Sequence, residues 1–437
     1  MVLATTLWVR PRQNADARHI LSPKRAVNLP DLVYYFGCLP LNLPSLNLGR
    51  QFEDSMDSQE VLPTRKELLA TCDTLVVKVG SRVLSTKDGK LDVERIASLA
   101  TQLSRLAERH EVVLVSSGAV AAGMAKLSMT ERPRDLAHLQ AVASVGQAHL
   151  IQAYEQHFSQ HSRHAAQVLL TADDIDDRTR YLNLRNTLRT LLKIGTIPII
   201  NENDSVSVDE LLTTFGDNDR LAAMVAGLFA RPALIILSDV DGVYSGRPDQ
   251  GGDSKIMHEI ESVDDSILAL AADTSGGVGK GGMYSKLKAA QFATRSGAPV
   301  IIAGGRSSGI LQRLLAGEEL GTLFLPQSRG LAPKKRWIGF SAQVAGSVHC
   351  DSGATQALKK NGPSLLAIGI LKCEGSFHKG DVLSICDTDG NEFARGLTNY
   401  SVEELQSIIG LKSEAIAEKL GHCPYEEVIH RDNIALV

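Results

Sequence analysis

The 437-residue sequence contains no Cys-x-x-Cys pair; its cysteines, Cys38, Cys72, Cys350, Cys373, Cys386 and Cys423, are scattered. That excludes a zinc-ribbon or disulfide-stapled design and fits a reducing, cytoplasmic setting. No apolar run reaches the roughly 20 residues of a membrane span, so no membrane association is expected. Despite Arg10, Arg12 and Arg18, the N-terminus lacks the apolar stretch and cleavage site of a secretory signal. A net charge of −4 gives no general attraction to nucleic acid or anionic lipid. Neither a G-x-x-x-x-G-K-S/T loop nor a strand-to-helix G-x-G-x-x-G turn occurs, which excludes the P-loop and the common dinucleotide fingerprint.

What is there is ample core: 43% of residues are apolar and 22% charged, in a chain long enough for two or three domains. Residues 1–65 mix prolines, asparagines and isolated apolar groups without periodicity. They read either as a loosely ordered extension or as sequence ahead of a translation start at Met56. From Thr74 the texture changes to short apolar strands alternating with helical spacing. Strands are expected at Thr74–Val79, Val112–Val115, Gln167–Leu170, Ile197–Ile200, Ala233–Leu237 and Pro299–Ile302. Helices are expected at 91–108, after 119, around 136–158, near 183–193, at 220–228 and from 283 to about 295. This pattern predicts an α/β fold with a mainly parallel sheet covered on both faces. Nearly every strand is followed by Gly, Ser, Asn or Asp, at the strand ends where such sheets bind ligands.

Two polar clusters stand out, Asn201-Glu202-Asn203-Asp204 after a buried strand and Gly216-Asp217-Asn218-Asp219 before a helix. Each alone reads as an Asx-rich turn; two bracketing one loop suggest a site for the polar ends of a small ligand. Gly276–Gly282 runs into Met283-Tyr284-Ser285-Lys286 at a helix start, where backbone N–H groups and the helix end suit phosphate. The alternative for that stretch is a glycine linker with solvated lysines. Lys78, a cation closing an apolar strand, must find an anion: a phosphate, or a structural partner such as Asp239 or Asp219. Together these features fit phosphoryl transfer by positioning and charge neutralisation.

The motifs VVKVGS at 76–81, VSSGAVAAG at 115–123, INENDSV at 200–206, FGDNDRLAA at 215–223, SDVDGVY at 238–244 and KGGMYSKLKAA at 280–290 occur in one order. That ordered set resembles the glutamate 5-kinases of the amino-acid kinase superfamily, over the chain from about residue 74 to its end. The resemblance implies an αβα sandwich at 70–335 and a phosphotransferase with a carboxyl acceptor. Such an enzyme makes L-glutamyl 5-phosphate from L-glutamate and ATP with Mg2+, opening proline biosynthesis. It further implies that Lys78 and Lys286 flank the transferred group and that Asp219 holds both lysines. Ser117, Asp204 and Asn218 would bind glutamate, while Ser238, Asp239 and the run Lys280, Gly281, Gly282, Met283, Tyr284, Ser285 and Lys286, together with Lys78, would bind ATP. No protein metal ligands are implied. Family members commonly form dimers or tetramers, and proline is an expected feedback inhibitor.

Three departures from the family pattern are visible. Lys280 stands where threonine is usual, Ser238 replaces a threonine, and the 204–216 loop is slightly long, with Thr213-Thr214 where a basic residue is common. Residues 346–421 resemble a PUA domain, and glycine-punctuated runs at 365–372, 381–386 and 392–397 predict a small β-barrel. Lys359, Lys360, Lys372 and Lys379 form no basic stripe, so RNA is not expected as a partner. The competing readings are an N-acetylglutamate, carbamate or aspartate kinase of the same fold, or an RNA-binding or regulatory protein on a kinase-like scaffold. The paired clusters speak against the other kinases. Intact Lys78, Lys286, Asp204 and Asp219 speak against a non-catalytic role.

Overall fold

The computed structural model describes residues 63–86, 88–206, 217–246, 254–272, 282–327, 332–421 and 425–437. The N-terminal extension, the 207–216 loop with Thr213, Thr214 and Gly216, and Lys280-Gly281 lie outside the described residues.

The chain opens with helix α1 (Arg65–Ala70), strand β1 (Thr74–Val79), α2 (Ser81–Leu84), α3 (Val93–Leu106), β2 (Glu111–Ser116), α4 (Ala119–Lys126) and α5 (Leu136–Ser159). It continues through β3 (Ala165–Leu170), α6 (Ala172–Asp176), α7 (Arg178–Lys193), β4 (Ile197–Glu202), α8 (Asp217–Ala226) and β5 (Pro232–Ser238). Then come β6 (Glu259–Ile260), α9 (Asp265–Ala272), α10 (Gly282–Arg295), β7 (Val300–Gly304), α11 (Ile310–Leu315) and β8 (Thr322–Phe324). The eight strands form one sheet in the order β3-β4-β2-β1-β5-β7-β8-β6. It is parallel except where β7 meets β8.

Continuous apolar strands follow from burial on both faces. Val76, Val113, Ile200, Leu234 and Ile236 enter one core with residues of α8 and α10. Leu75, Val77, Leu114, Ile199 and Ile235 enter the opposite core with α3 and the C-terminal half of α5. Side chains alternate along a strand, so Lys78 shares the face of Val76 and meets α8. Two boundaries differ from expectation. β4 continues through Asn201 and Glu202, which are buried and paired beside β3. α8 begins at Asp217 rather than Arg220, so the second polar cluster occupies the helix's first turn, where short acids and amides suit unsatisfied N–H groups.

The small residues after β2 serve close packing. A Cβ on Gly146 would lie 1.7 Å from the Ala119 carbonyl oxygen, and one on Gly123 would lie 1.9 Å from that of Val142. Backbone contact between α4 and α5 therefore fixes the segment that follows Ser117.

The remaining chain forms α12 (Pro333–Arg336), a π-helical turn at Trp337–Ser341, β9 (Val344–Cys350), α13 (Ser352–Asn361), β10 (Ile370–Gly375), β11 (Val382–Cys386), β12 (Glu392–Leu397), α14 (Val402–Ile408), α15 (Ser413–Leu420) and β13 (Ile434–Leu436). Its strands form a second sheet, β10-β9-β11-β12-β13, over its own apolar cluster. The run expected at 365–372 is a strand only from Ile370, because a 3-10 turn occupies Ala367–Gly369. At the junction the buried Arg336 guanidinium donates to the Phe229 and Ala230 carbonyls, and the Trp337 indole N–H donates to that of Ile175. Among the described residues no helix is long and apolar enough to cross a membrane.

Replacing Gly146 with alanine should force α4 and α5 apart. Denaturation should register a loss of about 2–3 kcal/mol; unchanged stability would mean the helices can separate freely.

Candidate active site

The polar residues that follow the strands converge at the C-terminal ends of β1, β2, β4 and β5. Lys78 lies one residue from the end of β1 and is 5% exposed, with its ammonium 2.6 Å from Asp219 Oδ1. The other oxygen of Asp219 is 3.3 Å from Lys286 Nζ and accepts a 2.9 Å hydrogen bond from the Ser285 hydroxyl. Lys286 also donates to the Gly282 carbonyl at 2.8 Å, within the first turn of α10.

Burial opposes the Asp219 charge, but the two lysines outweigh it and hold the carboxyl below its ordinary value. Lys286 is pulled below its ordinary value by burial, with Lys78 acting in the same direction and Asp219 against it. One carboxylate serves two ammonium groups, so the cluster carries an excess positive charge suited to a phosphate.

A second cluster adjoins the first through Asn218. Its amide donates to Ser117 Oγ at 2.9 Å and to Asn201 Oδ1 at 3.0 Å. Asp204, 5% exposed, lines a chamber together with Asn201. Burial pushes its carboxyl up to about 6, against the opposing influence of the Gln147 side chain and the Arg132 charge.

Two chambers result. One, of about 170 Å³, is lined by Lys78, Asn218, Asp219, Ser238, Gly282 and Lys286, among others. The other, of about 570 Å³, includes Asn201, Asp204, Gly118 and Arg306. Ser81, Arg82 and Asp239 line both. Asp239 accepts from the Arg82 guanidinium at 2.9 Å and from Ser238 Oγ at 3.1 Å. Burial works against the Asp239 charge, yet these bonds keep its carboxyl below the ordinary range.

Of the glycine-rich run, Gly282, Met283, Ser285 and Lys286 line the smaller chamber, whereas Tyr284 packs half-buried against the core. Asn201, which opens the first polar cluster, anchors Asn218. Two residues that the motifs did not single out join the site: Gln147 reaches Asp204 from α5, and Arg82 stands at the boundary. Gln147 had a readable signal, a polar side chain at helical spacing between the core residues Ala143 and Leu150. Among the described residues no group of three or more His, Cys, Asp or Glu could hold a metal ion.

The amino acid kinase family model matches residues 73–304, and the PUA domain model matches 346–420. A glutamate 5-kinase from Rhodopirellula baltica is 50% identical over 376 residues, covering 86% of this chain and 96% of that protein. One from Pseudomonas putida is 49% identical over 364 residues, covering 83% and 97%. Among solved structures, the UMP kinase of Bacillus anthracis aligns with a TM-score of 0.40 at 15% identity, over 60% of this chain and 99% of that one.

The neutral substitution Asp219→Asn would leave both lysines buried without their counter-charge, and should cost about 3 kcal/mol of stability in denaturation. A carboxyl held below its ordinary value contributes stability above its unfolded pKa, and that contribution fades as pH falls through the lower folded value. The gap between wild type and Asp219→Asn should therefore be full at neutral pH and narrow below about pH 4. A gap that stays constant into acid would exclude the carboxylate as its source.

Proposed function

Because the chain belongs to the amino acid kinase family, we propose that the two chambers serve one reaction, transfer of the γ-phosphoryl group of ATP to the γ-carboxylate of L-glutamate. A γ-carboxylate oxygen forms the new bond to phosphorus. The bond to the β,γ-bridging oxygen breaks, and that oxygen leaves with the electron pair on ADP. The other product is L-glutamyl 5-phosphate, the entry to proline biosynthesis. No general base is required, since the acceptor carboxylate is already ionised at neutral pH. That agrees with a site built from lysines, amides and carboxylates.

The observation that carries this reading is the single buried Asp219 shared by Lys78 and Lys286, next to a chamber that holds a second buried carboxylate, Asp204. Lys78 and Lys286 offset charge developing on the migrating group, and Asp219 keeps their ammonium groups in position. Ser117 and Asn218 orient the acceptor, and Asp204 takes its α-ammonium. Ser238, Asp239 and the stretch from Lys280 to Lys286 hold the nucleotide. Magnesium would supply further neutralisation of the β- and γ-phosphate oxygens. An N-acetylated substrate brings no positive charge to Asp204, which favours free glutamate over N-acetylglutamate. Proline as a feedback inhibitor, a dimeric or tetrameric assembly and a cytoplasmic location belong to the same proposal.

The direct test is ADP release with MgATP and L-glutamate, N-acetyl-L-glutamate or L-aspartate, trapping acyl phosphate with hydroxylamine. Glutamate alone should yield hydroxamate; silence with all three would sink the assignment. Lys286→Ala should lower kcat by at least about 10²-fold while the protein stays folded, and near-normal turnover would remove Lys286 from the phosphate site.

The Asp204 carboxyl must be ionised to bind an ammonium, so KM for glutamate should rise as pH drops below about 6. Asp204→Asn should raise KM by about 10-fold or more and abolish that pH dependence. An unchanged pH profile in the variant would assign the titration elsewhere.

A further inference from the structure

Among the described residues, Arg82 is the cation common to both chambers, and it departs from the two lysines in how it is held. The ammonium-bearing side chains of Lys78 and Lys286 are 7% and 12% exposed and fixed on Asp219. The Arg82 side chain is 64% exposed and pairs with Asp239, itself 35% exposed. A solvent-exposed pair of that kind is screened by water and salt and contributes little by itself.

Its backbone, by contrast, is pinned. Arg306 donates to the carbonyls of Arg82 and Ser85 at 2.7 and 2.8 Å, and Arg95 in turn donates to the carbonyl of Arg306 at 3.0 Å. The short helix bearing Arg82 thus has a fixed root, directly after the strand that carries Lys78, and an exposed guanidinium.

In the transfer proposed above, the phosphoryl group must cross from the nucleotide chamber to the acceptor chamber, and Arg82 stands on that boundary. We propose that Arg82 is a further catalytic residue, which leaves Asp239 and donates to the equatorial oxygens of the migrating phosphoryl group. Charge spreads over those oxygens as the bond to the bridging oxygen loosens, and a planar fork of N–H donors matches two of them at once. Arg82 transfers no proton and forms no bond to phosphorus. Asp239 holds the guanidinium ready between turnovers. This assignment deepens the phosphoryl-transfer reading and rests on it.

The test compares wild type, Arg82→Ala and Arg82→Lys in the hydroxamate assay, in thermal melts, and in inhibition by ADP with aluminium fluoride in the presence of glutamate. Arg82→Ala should lower kcat by about 10²-fold and leave both KM values within about threefold, as expected for contact made only in the transition state. Its melting temperature should not move. The lysine variant, which keeps the charge but loses the fork, should fall between. Inhibition by the aluminium fluoride complex should weaken in step with kcat.

Unchanged kcat, or a loss confined to the KM of one substrate, would overturn the assignment. Hydroxamate from wild type together with an indistinguishable Arg82→Ala would sink the arginine alone. Absence of hydroxamate from wild type would remove the transfer reading and the role of Arg82 with it.

Discussion

The site depends on one buried carboxylate between two lysines. Burying three charged groups is costly, and that cost is offset because Lys78 pairs with one oxygen of Asp219 while Lys286 and the Ser285 hydroxyl meet the other. Each partner comes from a different element: Lys78 from the central strand β1, Asp219 from the first turn of α8, and Ser285 and Lys286 from the first turn of α10. The ion cluster therefore joins the sheet to the two helices on one face. It leaves positive charge unspent where a phosphate would sit.

The same helix reaches outward from that point. At its start, Asn218 ties Ser117, just past β2, to Asn201 on β4, so the acceptor chamber inherits its geometry from the sheet. Just beyond its far end, the Phe229 and Ala230 carbonyls accept from Arg336, at the entry to the C-terminal unit. Val382, Leu397 and Ala435 of that unit join the apolar cluster containing α8. The helix that carries Asp219 is thus held by polar contacts near both ends and by apolar packing along its length. The backbone-close approach of α4 to α5 does comparable work for the Ser117–Gly118 turn.

Much of this was legible from local pattern. The strand at Thr74–Val79 has the boundaries its apolar run predicts, and the other strands and helices expected in the catalytic sheet shift by a few residues at their ends, whereas β6 and β8 were not expected. The shifts cluster where polar residues belong to an element: Asn201 and Glu202 continue β4, and Asp217 to Asp219 begin α8. Periodicity of apolar groups cannot register such extensions. In the C-terminal unit, β9 and β13 escaped notice, the first because Val344–Cys350 is built largely of small, half-buried residues. Arg82 escaped for a different reason. A single arginine in the turn after a strand has the pattern of any solvated side chain, and only its position between two chambers distinguishes it.

The sequence by itself determined the parallel sheet, the lysine that interrupts its central strand, the glycine-rich approach to α10 and the two amide-carboxylate clusters, because each is written in neighbouring residues. Apart from the family resemblance, which pointed to Asp219, the residues themselves left open which carboxylate meets which cation, with Asp219 and Asp239 equal candidates for Lys78. The tertiary structure decided it through the order β3-β4-β2-β1-β5, which sets β1 between β2 and β5 and lays α8 over the face shared by Val76 and Lys78. Asp219 is thereby buried against the lysines, while Asp239 at the end of β5 is turned to Arg82. Pairings such as Asn218 with Ser117, 101 residues apart, follow from strand order and helix placement. Those are global consequences of packing two apolar faces, and no local spacing encodes them.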